Sequence, residues 1–135
     1  VNLNQDAKAI EDFTKAINIR SGNYNLYVLR GESKFRLEDY KGAIKDFTYA
    51  ISFNSYEAKP YYSIGVSSQR LGNYRNALRN YRKAIKLDPN YGDAYFNRGL
   101  IKERFNNISG ACEDWRKAGE LGVSEAYEVI KEYCN

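Results

Sequence analysis

Few side chains in this sequence could do covalent or acid-base chemistry, and their spacing argues against it. Two cysteines stand at Cys112 and Cys134, adjacent acid pairs at Glu38-Asp39 and Glu113-Asp114, and there is no histidine. The chain thus lacks the commonest general base at neutral pH and the commonest transition-metal ligand. Adjacent acids on a helix project in different directions, so each pair reads as helix-start charge or solvated surface and not as a catalytic dyad. Two cysteines without histidine supply too few of the usual ligands for zinc. Asn107-Ile108-Ser109 matches a glycosylation acceptor, a pattern too short to carry weight. No activated nucleophile and no glycine-rich phosphate loop is visible. The expectation is a protein that is not an enzyme, with no cofactor and no metal.

The elements that would position a site must then come from composition and pattern. Hydrophobic residues make up 43% and charged residues 28%, and no long uncharged run interrupts them, so a folded domain without membrane insertion is expected. The net charge of +4 is spread through interleaved acids and bases, which speaks against nucleic acid as the partner. Two prolines and abundant Ala, Leu, Lys, Arg and Glu favour an all-α fold. Thirteen tyrosines exceed what helix propensity favours, so packing or binding must account for them.

Internal repetition organises the rest. Tyr27, Tyr61 and Tyr95 are spaced by 34 residues, as are Gly31, Gly65 and Gly99, and Ala9, Ala43, Ala77 and Ala111. The same interval separates Phe13, Phe47, Tyr81 and Trp115, and Ala16, Ala50, Ala84 and Ala118. Within each unit the columns fall at helical spacing and are divided by a turn at Glu38-Asp39, Gly72-Asn73 or Asn106-Asn107. Each unit is therefore a helical hairpin, in which glycine and alanine admit a close neighbour and an aromatic ring fills the space. Helices are expected near 24–37, 40–53, 58–71, 74–87, 92–105 and 108–120.

The unit formed by Tyr61-Tyr62-Ser63-Ile64-Gly65, Gly72-Asn73-Tyr74, Ala77, Tyr81, Ala84 and Asp88-Pro89-Asn90 resembles a tetratricopeptide repeat. The resemblance runs to about residue 122 and suggests a bacterial type with a C-terminal capping helix. It implies a right-handed superhelical solenoid of antiparallel hairpins whose concave face binds peptides or partner proteins. In these terms residues 1–135 form a single domain: a half repeat at 4–19 holding only a second helix, repeats at 24–57, 58–91 and 92–122, and a cap at 123–135. Ser55 stands where the inter-repeat proline is usual, and Ile108 where Tyr40 and Tyr74 set the pattern.

The half repeat leaves one face of its helix without a partner, and the sequence opens at Val1 without a methionine, a charged leader or an apolar signal core. The reading is a trimmed chain that continues upstream or covers that face by self-association, and that is finished at its C-terminal end. In the cap, Val123, Ala126, Tyr127, Ile130 and Tyr133 share an apolar face, with Ser124 as N-cap. Counting out from a turn near Gly122 places Cys112 about opposite residues 130–134. Two states stay open. A disulfide would pin the cap and imply a periplasmic or secreted protein, whereas two reduced thiols would suit the cytoplasm. The bridge is favoured because both cysteines fall in the region that needs a staple.

What the resemblance implies for binding maps onto the first helix of each repeat. The groove set is Val28, Glu32 and Arg36, then Tyr62, Val66, Gln69 and Arg70, then Phe96, Asn97, Leu100 and Arg104. Asn25, Leu29, Phe35, Lys59, Ser63, Asp93 and Glu103 fall on the same face. The apolar members suit an amphipathic helix or extended peptide. Arg36, Arg70 and Arg104 either meet an acidic segment or simply complement the C-terminal dipole of their helices. Val28 and Glu32 replace the lysine and asparagine with which one subtype grips a chaperone's C-terminal carboxylate, which disfavours that ligand. The expected partner is another protein or a peptide. The alternatives are a structural segment of a larger protein that self-associates, and, less favoured, an RNA-binding helical repeat.

Overall fold

The computed structural model describes residues 2–135, and among them every regular element is an α-helix. In chain order these are α1 (Leu3–Ile19), α2 (Tyr24–Arg36), α3 (Tyr40–Phe53), α4 (Ala58–Arg70), α5 (Tyr74–Leu87), α6 (Gly92–Arg104), α7 (Ile108–Glu120) and α8 (Ala126–Tyr133). Helices pack chiefly on their chain neighbours, from α1 on α2 through to α7 on α8, as in a solenoid.

Local chemistry marks the helix starts. The side chains of Asn2, Asn23, Asp39, Asn73 and Asn107 each accept a hydrogen bond from the backbone N–H three residues on, capping α1, α2, α3, α5 and α7. Pro60 lies in the first turn of α4, where a missing N–H costs nothing. Inside each hairpin the chain reverses through one left-handed residue at the same register position: Glu38 (φ 61°), Gly72 (φ 77°) and Asn106 (φ 64°). The next N–H then returns to the first helix, from Asp39 to the Lys34 carbonyl, Asn73 to Ser68 and Asn107 to Lys102. This satisfies carbonyls that the helix end would leave unpaired.

The core follows the columns. Ala43, Ala50, Ala77, Ala84, Ala111 and Ala118 are fully buried, as are Tyr81 and Trp115, with Phe47 1% exposed. A methyl carbon at Gly31 would come within 2.8 Å of the Phe47 ring, at Gly65 within 2.6 Å of Tyr81, and at Gly99 within 2.5 Å of Trp115. The glycines are thus contact surfaces for the aromatic column of their own hairpin. Ala9, Phe13 and Ala16 on α1 follow the same columns but are only half-buried.

Two expectations for the cap need correcting. Ser124 is not its N-cap: α8 starts at Ala126 without a side-chain cap, and the Ser124 hydroxyl donates to Glu125 Oε2 at 3.3 Å. The reason is a tighter reversal, with Gly122 left-handed at φ 93° and the Val123 N–H bonded to the Ala118 carbonyl. The other departure is Tyr127, which stays 62% exposed; the rest of the expected face holds, with Ala126 fully buried, Tyr133 5.6 Å from the Trp115 ring and Ile130, joined by Val129 and Cys134, against Ala111, Cys112 and Trp115. Cys112 and Cys134 are joined in a disulfide that ties α8 to α7.

Candidate functional site

The first helices of the three hairpins, α2, α4 and α6, border two adjoining clefts. One, of about 570 Å³, is lined by Glu32, Phe35 and Arg36 of α2, Phe47 of α3, and Lys59, Tyr62, Ser63, Val66 and Arg70 of α4. The other, of about 680 Å³, is lined by Tyr62, Val66, Gln69 and Arg70 of α4, Tyr74 of α5, and Asn97, Leu100, Ile101, Glu103 and Arg104 of α6. Tyr62, Val66 and Arg70 belong to both, so α4 forms the wall shared by one groove that crosses three repeats.

Its polar floor is held by hydrogen bonds within the protein. The Asn97 amide donates to the Tyr62 hydroxyl at 3.0 Å, and the Tyr81 hydroxyl donates to Gln69 Oε1 at 2.7 Å. Tyr62 also stacks on Tyr91, with ring centroids 4.8 Å apart. Burial pushes the Tyr62 phenol above its usual range, Asp93 raises it further, and the Asn97 hydrogen bond works the other way. The Tyr81 phenol is raised more strongly, again mainly by burial. Both stay neutral donors and acceptors at ordinary pH, presenting fixed polar points beside the apolar Val66 and Leu100.

The arginine row has a structural partner at every step. Arg36 Nε pairs with Asp6 Oδ1 at 2.8 Å, Arg70 Nη1 donates to the Tyr40 hydroxyl at 3.1 Å, and Arg104 lies 4.7 Å over the Tyr74 ring. Asp6, Tyr40 and Tyr74 are themselves 34 residues apart, so each arginine reaches back to the start of the second helix in the preceding unit. These contacts orient the guanidinium groups without burying them, since Arg36, Arg70 and Arg104 all remain exposed. Glu32 is bound to Lys59 at 3.0 Å across α2 and α4, which largely neutralises the groove's first acid.

Val28 and Phe96 line neither cleft. Val28 packs against the clusters around Ile17, Tyr27 and Ala50 and around Ala43, Phe47 and Ile64, and Phe96 against that of Ala111, Cys112 and Trp115. Asn25, Leu29 and Asp93 are exposed outside the groove. In the other direction, Tyr74 lines the second cleft although it sits on a second helix. The signal for it was its column with Tyr40, which only the arginine contacts make meaningful.

The acids read as surface charge divide. Asp39 is the N-cap of α3, and Glu38 and Glu113 are exposed, but Asp114 is 4% exposed and central to a buried cluster. Arg98 binds it in a bidentate fork at 2.7 and 2.8 Å and Lys102 at 3.0 Å. The same cluster recurs with Asp46, gripped by Arg30 at 2.7 and 2.9 Å and by Lys34 at 3.0 Å. Adjacency to Glu113 suggested a helix surface, but Asp114 belongs to the inward column shared with Asp46. No group of side chains among the described residues could hold a metal ion.

Comparison with known proteins agrees with this architecture. A family model described as TPR repeat matches residues 69–104, the stretch that joins α4, α5 and α6. No curated protein matches the sequence. Among solved structures, a crystal structure of MamA superposes with a TM-score of 0.84 at 26% identity, covering 90% of this chain and 71% of that one. MamA 41-end from Desulfovibrio magneticus RS-1 gives 0.81 at 22% identity, over 89% and 68%. The first TPR of Spaghetti (RPAP3) bound to the HSP90 peptide SRMEEVD gives 0.77 at 20% identity, over 82% and 89%. The repeat columns, the matching family model over one inter-repeat junction and these superpositions agree that the chain has the fold of a tetratricopeptide-repeat array.

Proposed function

We propose that this protein is a non-catalytic scaffold that holds a segment of a partner protein in the groove between α2, α4 and α6. The observation that carries the reading is the continuity of the two clefts through Tyr62, Val66 and Arg70. A ligand there meets apolar side chains at Val66 and Leu100, fixed polar points at Tyr62 and Asn97, and exposed guanidinium groups at Arg70 and Arg104. Fixing the floor in advance lowers the ordering cost of binding. The arrangement suits a short peptide with one apolar anchor and a carboxylate close to it. Support comes from the neighbour bound to SRMEEVD, an acidic peptide held by the same fold. Val28 still argues against a chaperone tail, because it packs into the core and offers no donor, and Glu32, taken up by Lys59, offers none either.

Selection from a displayed peptide library tests this. Enrichment of sequences with an apolar residue near Asp or Glu is expected, with affinity falling by at least about tenfold on Val66→Glu combined with Arg70→Glu. Arg70 is exposed on the groove wall and Val66 lines the groove from a half-buried position against the cluster of Ala77, Tyr81 and Ile101, so circular dichroism and a melting curve would check that the variant stays folded. Equal binding by the folded variant would overturn the groove assignment.

A further inference from the structure

The net charge of +4 is not evenly shared among the helices. α5 alone carries five cations, Arg75, Arg79, Arg82, Lys83 and Lys86, and no acid, which is more than the whole excess of the chain. Arg75, Arg79, Arg82 and Lys86 recur at helical intervals on one face, in a stripe roughly 16 Å long. The opposite face is fixed by Ala77, Tyr81 and Ala84, all fully buried, so the stripe must point away from the hairpin. All four cations are exposed, and none forms an ion pair among the described residues. Lys83, beside the stripe, lies 5.8 Å from the centre of the Tyr61 ring.

Nothing in the packing asks for this pattern. Like charges three or four residues apart repel along a helix, and Arg75 sits in the first turn, where the helix dipole disfavours a cation. The other second helices fill the same positions differently. On α1 the counterpart of Arg79 is Glu11, paired with Lys15 at 3.4 Å. On α7 the four counterparts are Ser109, Glu113, Arg116 and Glu120, of mixed sign, and on α3 they are Lys41, Lys45, Thr48 and Ser52.

We propose that this outer face of α5 is a second interaction surface, which takes the acidic face of a partner protein's helix with Asp or Glu at i, i+4, i+7 and i+11. Such a helix repeats the spacing of the stripe, so four carboxylates meet four cations, three of them guanidinium forks able to grip a carboxylate by two hydrogen bonds. Pairing also relieves the like-charge repulsion on both helices at once. The flanks narrow the choice of partner. In the stack of hairpins α5 stands between α3, where Lys41 and Lys45 extend the positive field, and α7, where Glu113 and Glu120 are exposed. A single helix lying along α5 avoids those acids, whereas a bilayer or a duplex is broader and brings its phosphates against them. The amides nearest the stripe are already engaged, with Asn76 donating to the Ser68 hydroxyl and Asn80 to the Asn76 carbonyl, so nothing beside the cations reads a base. The surface lies outside the groove, which none of the four cations lines.

The probe is a fluorescent alanine-based peptide with glutamate at those four positions, held helical by a lactam staple on its far side and titrated into the whole protein. Saturable binding is expected, weakened at least about tenfold by Arg79→Glu combined with Arg82→Glu. Each new acid would stand four residues before a lysine, Lys83 or Lys86, so the variant should melt no lower than the native protein. A peptide with lysine at the two middle positions should prefer the variant to the native protein. A peptide of unchanged composition with its glutamates spread around the helix should bind at least about tenfold more weakly than the probe. Val66→Glu with Arg70→Glu should change nothing, which separates this surface from the groove. Absence of binding, equal binding of the spread peptide, or binding insensitive to Arg79→Glu with Arg82→Glu would overturn the proposal. So would tighter binding, at equal ionic strength, to phosphatidylglycerol vesicles or to duplex DNA than to the probe, which would give the stripe to lipid or nucleic acid.

Discussion

Asp46 and Asp114 show how a single residue sets local rules in a repeat protein. A buried carboxylate is costly to desolvate and tolerable only with its cations in place, so removing one member strands the others. The middle hairpin solves the same position without charge. Asn80 donates to the Asn76 carbonyl at 2.9 Å, Ser68 accepts from Asn76 at 2.8 Å, and Ile64 is 5% exposed. Asp114→Asn alone should therefore destabilise the protein by about 3 kcal/mol, leaving Arg98 and Lys102 without their anion. Adding Arg98→Ile, Lys102→Ser and Gly110→Asn copies the middle hairpin's set and should restore most of the loss. Urea unfolding midpoints separate the two cases, and equal midpoints for the single and fourfold variants would show that the charges do not act as one unit.

Between elements, the decisive contact is glycine against ring. Gly65→Ala would gain about 1 kcal/mol of helix propensity. It would also force a carbon to 2.6 Å from Tyr81, whose ring has no free side to move to, and overpacking of this kind costs about 1–3 kcal/mol. The net expectation is a lower melting temperature. Gly119→Ala is the control: its new carbon would meet only ordinary contacts at 3.7–3.9 Å, from Tyr127, Ala126 and Ile130, so the melting temperature should hold or rise slightly. This contact also explains what the sequence could disclose. The hairpins were legible because glycine, alanine and ring alternate at fixed helical offsets within one unit. The arginine row was visible as a column, but its destination at Asp6, Tyr40 and Tyr74 depends on how successive units stack. Val28 and Phe96 belong to the same helices as true groove residues, and only the stacking decides that they turn into the core. Ser124 failed as a cap because a glycine turn two residues earlier took over the reversal.

At the scale of the whole molecule, nearest-neighbour packing predicts that damage stays local. Stability in a solenoid is close to a sum of unit and interface contributions, and α8 touches chiefly α7. The Cys112–Cys134 bridge closes a loop of sequence separation 22, which constrains the unfolded chain by roughly 3 kcal/mol. Cys134→Ser should therefore loosen the cap without melting the array. Hydrogen exchange is the suitable measurement: amides of residues 123–135 should exchange faster, those of α7 next, while α2 to α5 keep their protection. Peptide affinity in the groove should be unchanged, because neither α7 nor α8 lines it. Intact mass without reductant, compared with the reduced protein, should first reveal the two hydrogens lost to the bridge. A uniform rise in exchange across all helices would mean instead that the array unfolds as one cooperative block. The groove would then be coupled to the cap through global stability and could not act as a local site.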